Sequence, residues 1–345
     1  MKSAFLIGKK QFEIREIVDP IAGPNDIVVD IVACGVCGSD LRRWTEGPKD
    51  KPVVSGHEIA GVVSMTGTNV VSYKVGDKVA IAPDIHCGHC YYCEHGYFNL
   101  CDSLQFLGIT PEYPGGFTEK ILLTKEILIN GVIHHMPAGL SFDHAALAEP
   151  CSSVLACHDR IHTSINDVVV VMGAGPIGCI HTAVAHARGA RVIISEPSKT
   201  RRILAEQFKP ELFVDPFDSD LGEAVRQFTD GRGADVVVCA NPVPATQTQA
   251  IEIVRKRGKV MLFGGLPKDN HMVPVDGNII HYGEIEVIGS FSYHPAYHDL
   301  ALGALQRGLI PADKLITAEF PINQIAEGFN AAASGEALKV LIKPY

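Results

Sequence analysis

The longest apolar run in the chain, Val168 to Ile180, is thirteen residues broken by Gly173, Gly175 and Gly178. A strand that is apolar on both faces is buried on both, and thirteen residues are too few to cross a bilayer as a helix. The run reads as a buried strand, Val168–Met172, then a glycine turn, then a helix continuing through Arg188. The rhythm repeats downstream. Arg191–Ser195, Asp235–Cys239 and Lys259–Phe263 read as apolar strands, with helical stretches at Lys199–Phe208 and Ala245–Arg257. Apolar strands alternating with helices predict an α/β fold with a doubly wound parallel sheet.

The first 140 residues follow a different pattern. Ser3–Ile7, Phe12–Ile17, Ile27–Ala33, Ile59–Met65 and Lys78–Ile81 read as short strands separated by Gly, Pro and Asn-Asp clusters, an all-β signature. A helical stretch runs from Ser141 to about Ile161. After Ile285–Ile288 come helical stretches at Ala296–Arg307 and Asn323–Ala333 and a last strand, Leu338–Ile342. At 345 residues two domains are expected: 1–150 together with 289–345, and 151–288 inserted between them.

Charge narrows the function. Thirty Lys and Arg face 39 Asp and Glu, a net charge of −9 with no basic stretch, which excludes the phosphate neutralisation that nucleic-acid binding needs. The opening residues meet Lys9-Lys10 before any h-region can form, so neither a signal peptide nor a membrane is expected and the cytoplasm is the expected location.

Four of the ten cysteines, Cys87, Cys90, Cys93 and Cys101, are spaced C-x2-C-x2-C-x7-C. In a cytoplasmic chain of this size the pattern points to metal rather than to disulfides: a closed tetrahedral zinc shell, with iron–sulfur ligation as the rival. Cys34, Cys179 and Cys239 lie in apolar runs and read as buried thiols.

The glycine turn Gly173-Ala174-Gly175-Pro176-Ile177-Gly178 follows a buried strand and opens a helix, and Glu196 ends the next strand 18 residues past Gly178. Glycines permit close backbone approach, the helix N-terminus faces a pyrophosphate, and the carboxylate accepts from ribose hydroxyls. That is a dinucleotide site. The carboxylate repels a 2′-phosphate and favours NAD over NADP, although Arg201 and Arg202 lie close enough in sequence to receive one.

Cys37-Gly38-Ser39-Asp40, Gly56-His57-Glu58 and Glu149-Pro150 add a thiolate, an imidazole and one or two carboxylates, a set able to hold a zinc with one position open. These motifs, with the cysteine lobe, the glycine turn and Leu262-Phe263-Gly264-Gly265, resemble the zinc-dependent medium-chain dehydrogenase/reductase family nearly end to end, in its polyol and threonine dehydrogenase branch. The resemblance implies a GroES-like β-rich catalytic domain beside a Rossmann domain, a catalytic and a structural zinc, and a homo-oligomer, dimer or tetramer. It implies Cys37 and His57 as ligands, with Glu58 or Glu149 completing the shell directly or through water. Asp40 would orient His57, and Ser39 would bond the substrate hydroxyl and start a proton path.

Three departures from the family pattern bear on the substrate. Arg42 stands where a relay histidine is common, and a guanidinium does not shuttle a proton by losing it. Arg43 replaces a tyrosine and Ser292 an arginine common in sorbitol enzymes, while Trp44 and Tyr293 are kept. Arg42, Arg43, Trp44 and Tyr293 are therefore the candidate substrate contacts, with the two arginines suited to a phosphate or a sugar acid. The expected reaction is oxidation of a secondary alcohol of a polyol, cyclitol or sugar derivative to a ketone, and its reverse. Oxidation of an amino alcohol of the threonine type is the alternative, and an inactive dinucleotide-binding sensor the reading from another class.

Overall fold

The computed structural model describes residues 1–344; residue 345, the end of the expected 289–345 segment, lies outside them. The chain forms two compact units. One is Met1–Ser152 with the C-terminal segment from Tyr293, and the other is Ser153–Ser292.

In the first unit a seven-stranded sheet runs Ile316–Pro321, Lys339–Lys343, Ile27–Gly35, Glu58–Thr66, Lys78–Ala82, Val132–His135, with Lys120–Leu123 also pairing Ile27–Gly35. All its pairings are antiparallel except the first, between Ile316–Pro321 and Lys339–Lys343. Ile27, Val29, Ile31, Ile59, Val63, Val79 and Ile81 alternate inward into one core. Phe329 anchors one end of that core, with ring centroids 4.8 Å from Phe12, 5.6 Å from Trp44 and 5.5 Å from Phe117.

The first 140 residues are not all β. Gly38–Glu46 is an α-helix, capped by Cys37 and Asp40. Its sequence is mostly polar and starts with glycine; within it only Asp40 and Trp44 are buried, so no apolar periodicity announces it.

The second unit is a parallel sheet in the order Leu212–Val214, Arg191–Ser195, Val168–Met172, Ala234–Cys239, Val254–Leu262, Glu286–Gly289. In chain order this is 3-2-1-4-5-6, the doubly wound dinucleotide topology. The central strand, Val168–Met172, is buried throughout. The stretch Ala245–Arg257, expected as one helix, ends at Ile253, and a strand begins at Val254. Arg257 takes a positive φ of 58°, and the pairing with Ala234–Cys239 shifts register between Ala234 and Val236. The polar Arg-Lys-Arg segment reads like the end of a helix, and pairing with a buried neighbour overrides that local signal. Among the described residues no helix is long and apolar enough to cross a membrane.

Candidate active site and cofactor cradle

The helix Gly38–Glu46 sets one wall of the site. Trp44, only 3% exposed, packs on Phe329 and fixes the helix, so this tryptophan, expected to meet substrate, serves the core instead. Asp40 ties two segments together: Oδ2 accepts from the Cys37 N–H at 3.0 Å and Oδ1 from the Gly56 N–H at 3.3 Å. Oδ1 also lies 3.6 Å from His57 Nδ1, a buried nitrogen with no hydrogen-bond partner of its own. On the other side of that ring, Ser39 Oγ lies 3.4 Å from His57 Nε2. Burial works against a charged His57, but the Asp40 carboxylate and the Cys37 sulfur beside it outweigh burial and leave its pKa raised.

The two candidate glutamates separate cleanly. Glu58 is fully buried, and Lys339 Nζ donates to its Oε1 at 2.7 Å and its Oε2 at 2.8 Å. Gly35 leaves room for it, since a Cβ there would stand 1.9 Å from Glu58 Oε2. Glu149, at the start of the helix Ala148–Ile161, accepts from the Tyr293 hydroxyl at 3.3 Å. Burial pushes the Glu149 carboxyl up to about 7; the nearby His57 pulls it down, while Glu58 and Asp84 push it higher. Cys37 and Glu149 both act electrostatically on His57, which brings a sulfur, an imidazole and a carboxylate near one another, although the three do not close to within 4.8 Å as a set. The donor set and its polarity fit a zinc ion. Sequence reasoning missed Lys339 and Asp84. A lone lysine at the head of the apolar strand Lys339–Lys343 was the available signal for the first.

Among the described residues, only the sulfurs of Cys87, Cys90, Cys93 and Cys101 form a group of three or more candidate ligands within 4.8 Å of one another. Cys101 Sγ accepts from the N–H groups of Cys87 and Ser103, and N–H groups of Asp102 and Cys93 hold the Cys90 thiol down at about 6. Those donors favour thiolate, while burial pushes the Cys93 thiol up to about 12 and the Cys101 thiol up as well, so a bound cation would be needed to hold all four as thiolates. All ten cysteines are free.

In the second unit the glycine turn caps the helix Pro176–Ala187. A Cβ on Gly178 would lie 1.9 Å from the Gly173 carbonyl oxygen, so only glycine lets the helix close on the turn. A Cβ on Gly175 would meet nothing within 4 Å, which leaves open space over the helix N-terminus for a pyrophosphate. Ile177, beside it, is half-buried in the first turn. Glu196 is held at the end of its strand, Oε2 accepting from Ala174 N–H and Oε1 from Ser198 N–H, both at 2.8 Å. Arg202 is committed to Asp215 at 2.7 Å and to the carbonyls of Glu196 and Pro197.

Of the other arginines, Arg43 donates to the carbonyls of Gly108 and Ile109, so it pins a loop rather than standing free as an anion clamp. Arg42 is exposed, three residues past Ser39 on the same helix face.

Two family models match the chain, "Alcohol dehydrogenase GroES-like domain" over residues 23–133 and "Zinc-binding dehydrogenase" over residues 176–307. The sorbitol dehydrogenase of Halalkalibacterium halodurans is 36% identical over 98% of this chain and 97% of its own length. The D-arabitol-phosphate dehydrogenase of Enterococcus avium is 32% identical over 97% of this chain and 95% of its own. The structure of 2R,3R-butanediol dehydrogenase from Bacillus subtilis superposes with a TM-score of 0.89 at 29% identity, covering 100% of this chain and 99% of the other. The chain belongs to the zinc-dependent medium-chain dehydrogenase/reductase family. It is an alcohol/polyol oxidoreductase with zinc and NAD(P) as its cofactors.

Proposed function

We propose that this chain oxidises a secondary alcohol of a polyol, cyclitol or sugar derivative to a ketone with NAD, and catalyses the reverse, at a site made by Cys37, Ser39, Asp40, His57 and Glu149. The observation that carries this reading is the meeting of Asp40, Ser39 and Cys37 around the ring of His57, with the Glu149 carboxylate nearby. Cys37, His57 and Glu149 would hold the catalytic zinc, and Glu58, with both oxygens on Lys339, stands aside. When bound, zinc supplies Lewis-acid polarisation of the alcohol oxygen and the nicotinamide accepts hydride. Ser39 Oγ, exposed and next to His57 Nε2, takes the hydroxyl proton and passes it to water. Asp40 keeps the His57 ring in one orientation, and the Tyr293 hydroxyl holds the Glu149 carboxylate in place.

The cofactor preference follows from charge. The Glu196 carboxylate, held by the Ala174 and Ser198 N–H groups, puts a negative charge at the end of its strand where a 2′-phosphate would come, and Arg202 is already engaged, which leaves Arg201 alone to meet one. NAD is preferred. The substrate extends to phosphorylated or acidic sugars because Arg42 is exposed one turn from Ser39, and one of the relatives above is named for a polyol phosphate. Reduced-nicotinamide absorbance across polyols, cyclitols, their phosphates and sugar acids, each with NAD and NADP, tests both points. Arg42→Glu raises KM for an anionic substrate roughly ten- to a hundredfold and leaves that for a neutral polyol unchanged. No change for any substrate returns Arg42 to a solvent-facing role.

The protein works as a homo-oligomer. The outermost strand of the parallel sheet, Glu286–Gly289, pairs on one side only, and Val287 on it is 41% exposed. A second copy laid against that edge would satisfy its open backbone groups. Sedimentation as a monomer at micromolar concentration would contradict this.

A further inference from the structure

Phe98 opens the short 3-10 turn Phe98–Leu100, between Cys93 and Cys101, and its ring meets two imidazoles. The His86 ring lies 4.5 Å from it, centroid to centroid, at 50°, and the His294 ring 5.1 Å from it at 55°. Tilted contacts of this kind add to what the covered apolar area alone provides. His86 immediately precedes Cys87, and its N–H donates to the Asn130 carbonyl at 3.0 Å. His294 belongs to the C-terminal segment of the same unit and directly follows Tyr293. A second approach runs alongside. Burial pushes the Tyr293 phenol up, and the nearby carboxylates of Glu149 and Asp84 push it the same way. Residues 84–86 therefore lie along Tyr293 and His294, with the Phe98 ring against both imidazoles.

The turn that follows Tyr293 passes on what its imidazole feels. His294 Nδ1 accepts from the Ala296 N–H at 3.1 Å, and the His294 carbonyl accepts from the Tyr297 N–H at 2.9 Å, so ring and backbone are tied together. Just before Tyr293, Ser292 takes a φ of 48°, a left-handed conformation that its surroundings must hold. Tyr293 turns inward, 3% exposed, and its hydroxyl reaches Glu149 Oε1 at 3.3 Å. That bond is already long for an O–H donor, and a small shift of the Tyr293 backbone breaks it.

We propose that Phe98 is a positioning residue for the alcohol site: its ring braces His294 against the cysteine lobe and so keeps the Tyr293 hydroxyl on Glu149. This rests on the reading that Glu149 is a ligand of the zinc there. The lobe zinc thereby acts beyond its own loop. By folding the Phe98–Leu100 turn between two of its cysteines it sets where the ring stands, and the ring sets how firmly the other zinc's carboxylate is held. A tilted ring contact changes an equilibrium constant by about two- to tenfold, and an effect of that size is expected on metal retention.

The test measures how tightly the alcohol-site zinc is held against a chelator, with the lobe zinc followed separately by the protection of its thiols from alkylation. Phe98→Ala weakens retention of the alcohol-site zinc by about two- to tenfold and leaves the lobe thiols protected. His294→Asn removes the ring but keeps an acceptor for the Ala296 N–H, and it has the same effect without touching the lobe. The double variant loses as much as the worse single variant and not the product of the two, because both remove one contact. Phe98→Tyr holds the zinc as the parent does. Losses that multiply in the double variant, or retention equal to the parent's in His294→Asn, overturn the proposal. If Phe98→Ala exposes the lobe thiols, His294→Asn decides alone. Glu149→Ala separates the brace from the reading beneath it. Should it keep the alcohol-site zinc, the ligand reading falls and the brace with it; should it release that zinc while both ring variants keep it, only the brace falls.

Discussion

Replacing His57 with alanine lowers kcat/KM for the preferred alcohol by about a thousandfold or more and releases the zinc of the alcohol site, while the four-cysteine zinc stays bound. His57 is 3% exposed, with Asp40 Oδ1 3.6 Å from its Nδ1 and Ser39 Oγ 3.4 Å from its Nε2, so its loss removes the ring around which the site is built. Glu149→Ala is expected to act in the same direction. It removes the carboxylate that neighbours His57 and whose pKa burial already raises to about 7. Asp40→Asn is milder, about ten- to a hundredfold in metal affinity, because it removes no ligand and instead weakens the support of the His57 ring and the bonds to the Cys37 and Gly56 N–H groups. Metal analysis per chain and steady-state rates on the same preparations read all three. Full activity with undiminished zinc in His57→Ala or Glu149→Ala would remove that residue from the ligand set.

The parts of this site that are local in sequence were legible in the sequence. The glycine turn shows itself because a buried strand, three glycines and a helix start fall within a few residues, and Gly178 alone allows the helix to close on Gly173. The cysteine lobe shows itself through spacing, and its four sulfurs do cluster. What spacing could not settle depended on long-range packing. Which of Glu58 and Glu149 is tied up in an ion pair depends on Lys339, 281 residues from Glu58 along the chain. Trp44 looked like a pocket residue until Phe329 covered it. Arg43 looked like an anion clamp, yet it donates to carbonyls 65 and 66 residues away. The helix Gly38–Glu46 carries two of the site's side chains, Ser39 and Asp40, on a sequence too polar to show a buried face.

The Glu58–Lys339 pair gives the second large effect. Lys339→Met destabilises the protein by about 3–5 kcal/mol, because it leaves the Glu58 carboxylate charged and unpaired in the core. Glu58 is 0% exposed and Lys339 3%, with Nζ bonded to both carboxylate oxygens and to the Val36 carbonyl at 3.1 Å. Burial opposes the Lys339 ammonium, but Glu58 beside it outweighs that and keeps its pKa raised. Removing both charges costs far less than removing one: Lys339→Met with Glu58→Leu recovers most of the loss, since an apolar pair of similar volume no longer needs solvation. Urea unfolding midpoints of the parent, single and double variants measure this. A single variant within about 1 kcal/mol of the parent would show that Glu58 finds another partner when Lys339 is lost. The double variant also separates the two glutamates. With Glu149 as the carboxylate ligand it keeps the zinc of the alcohol site, whereas loss of that zinc from a stably folded double variant would assign the metal to Glu58.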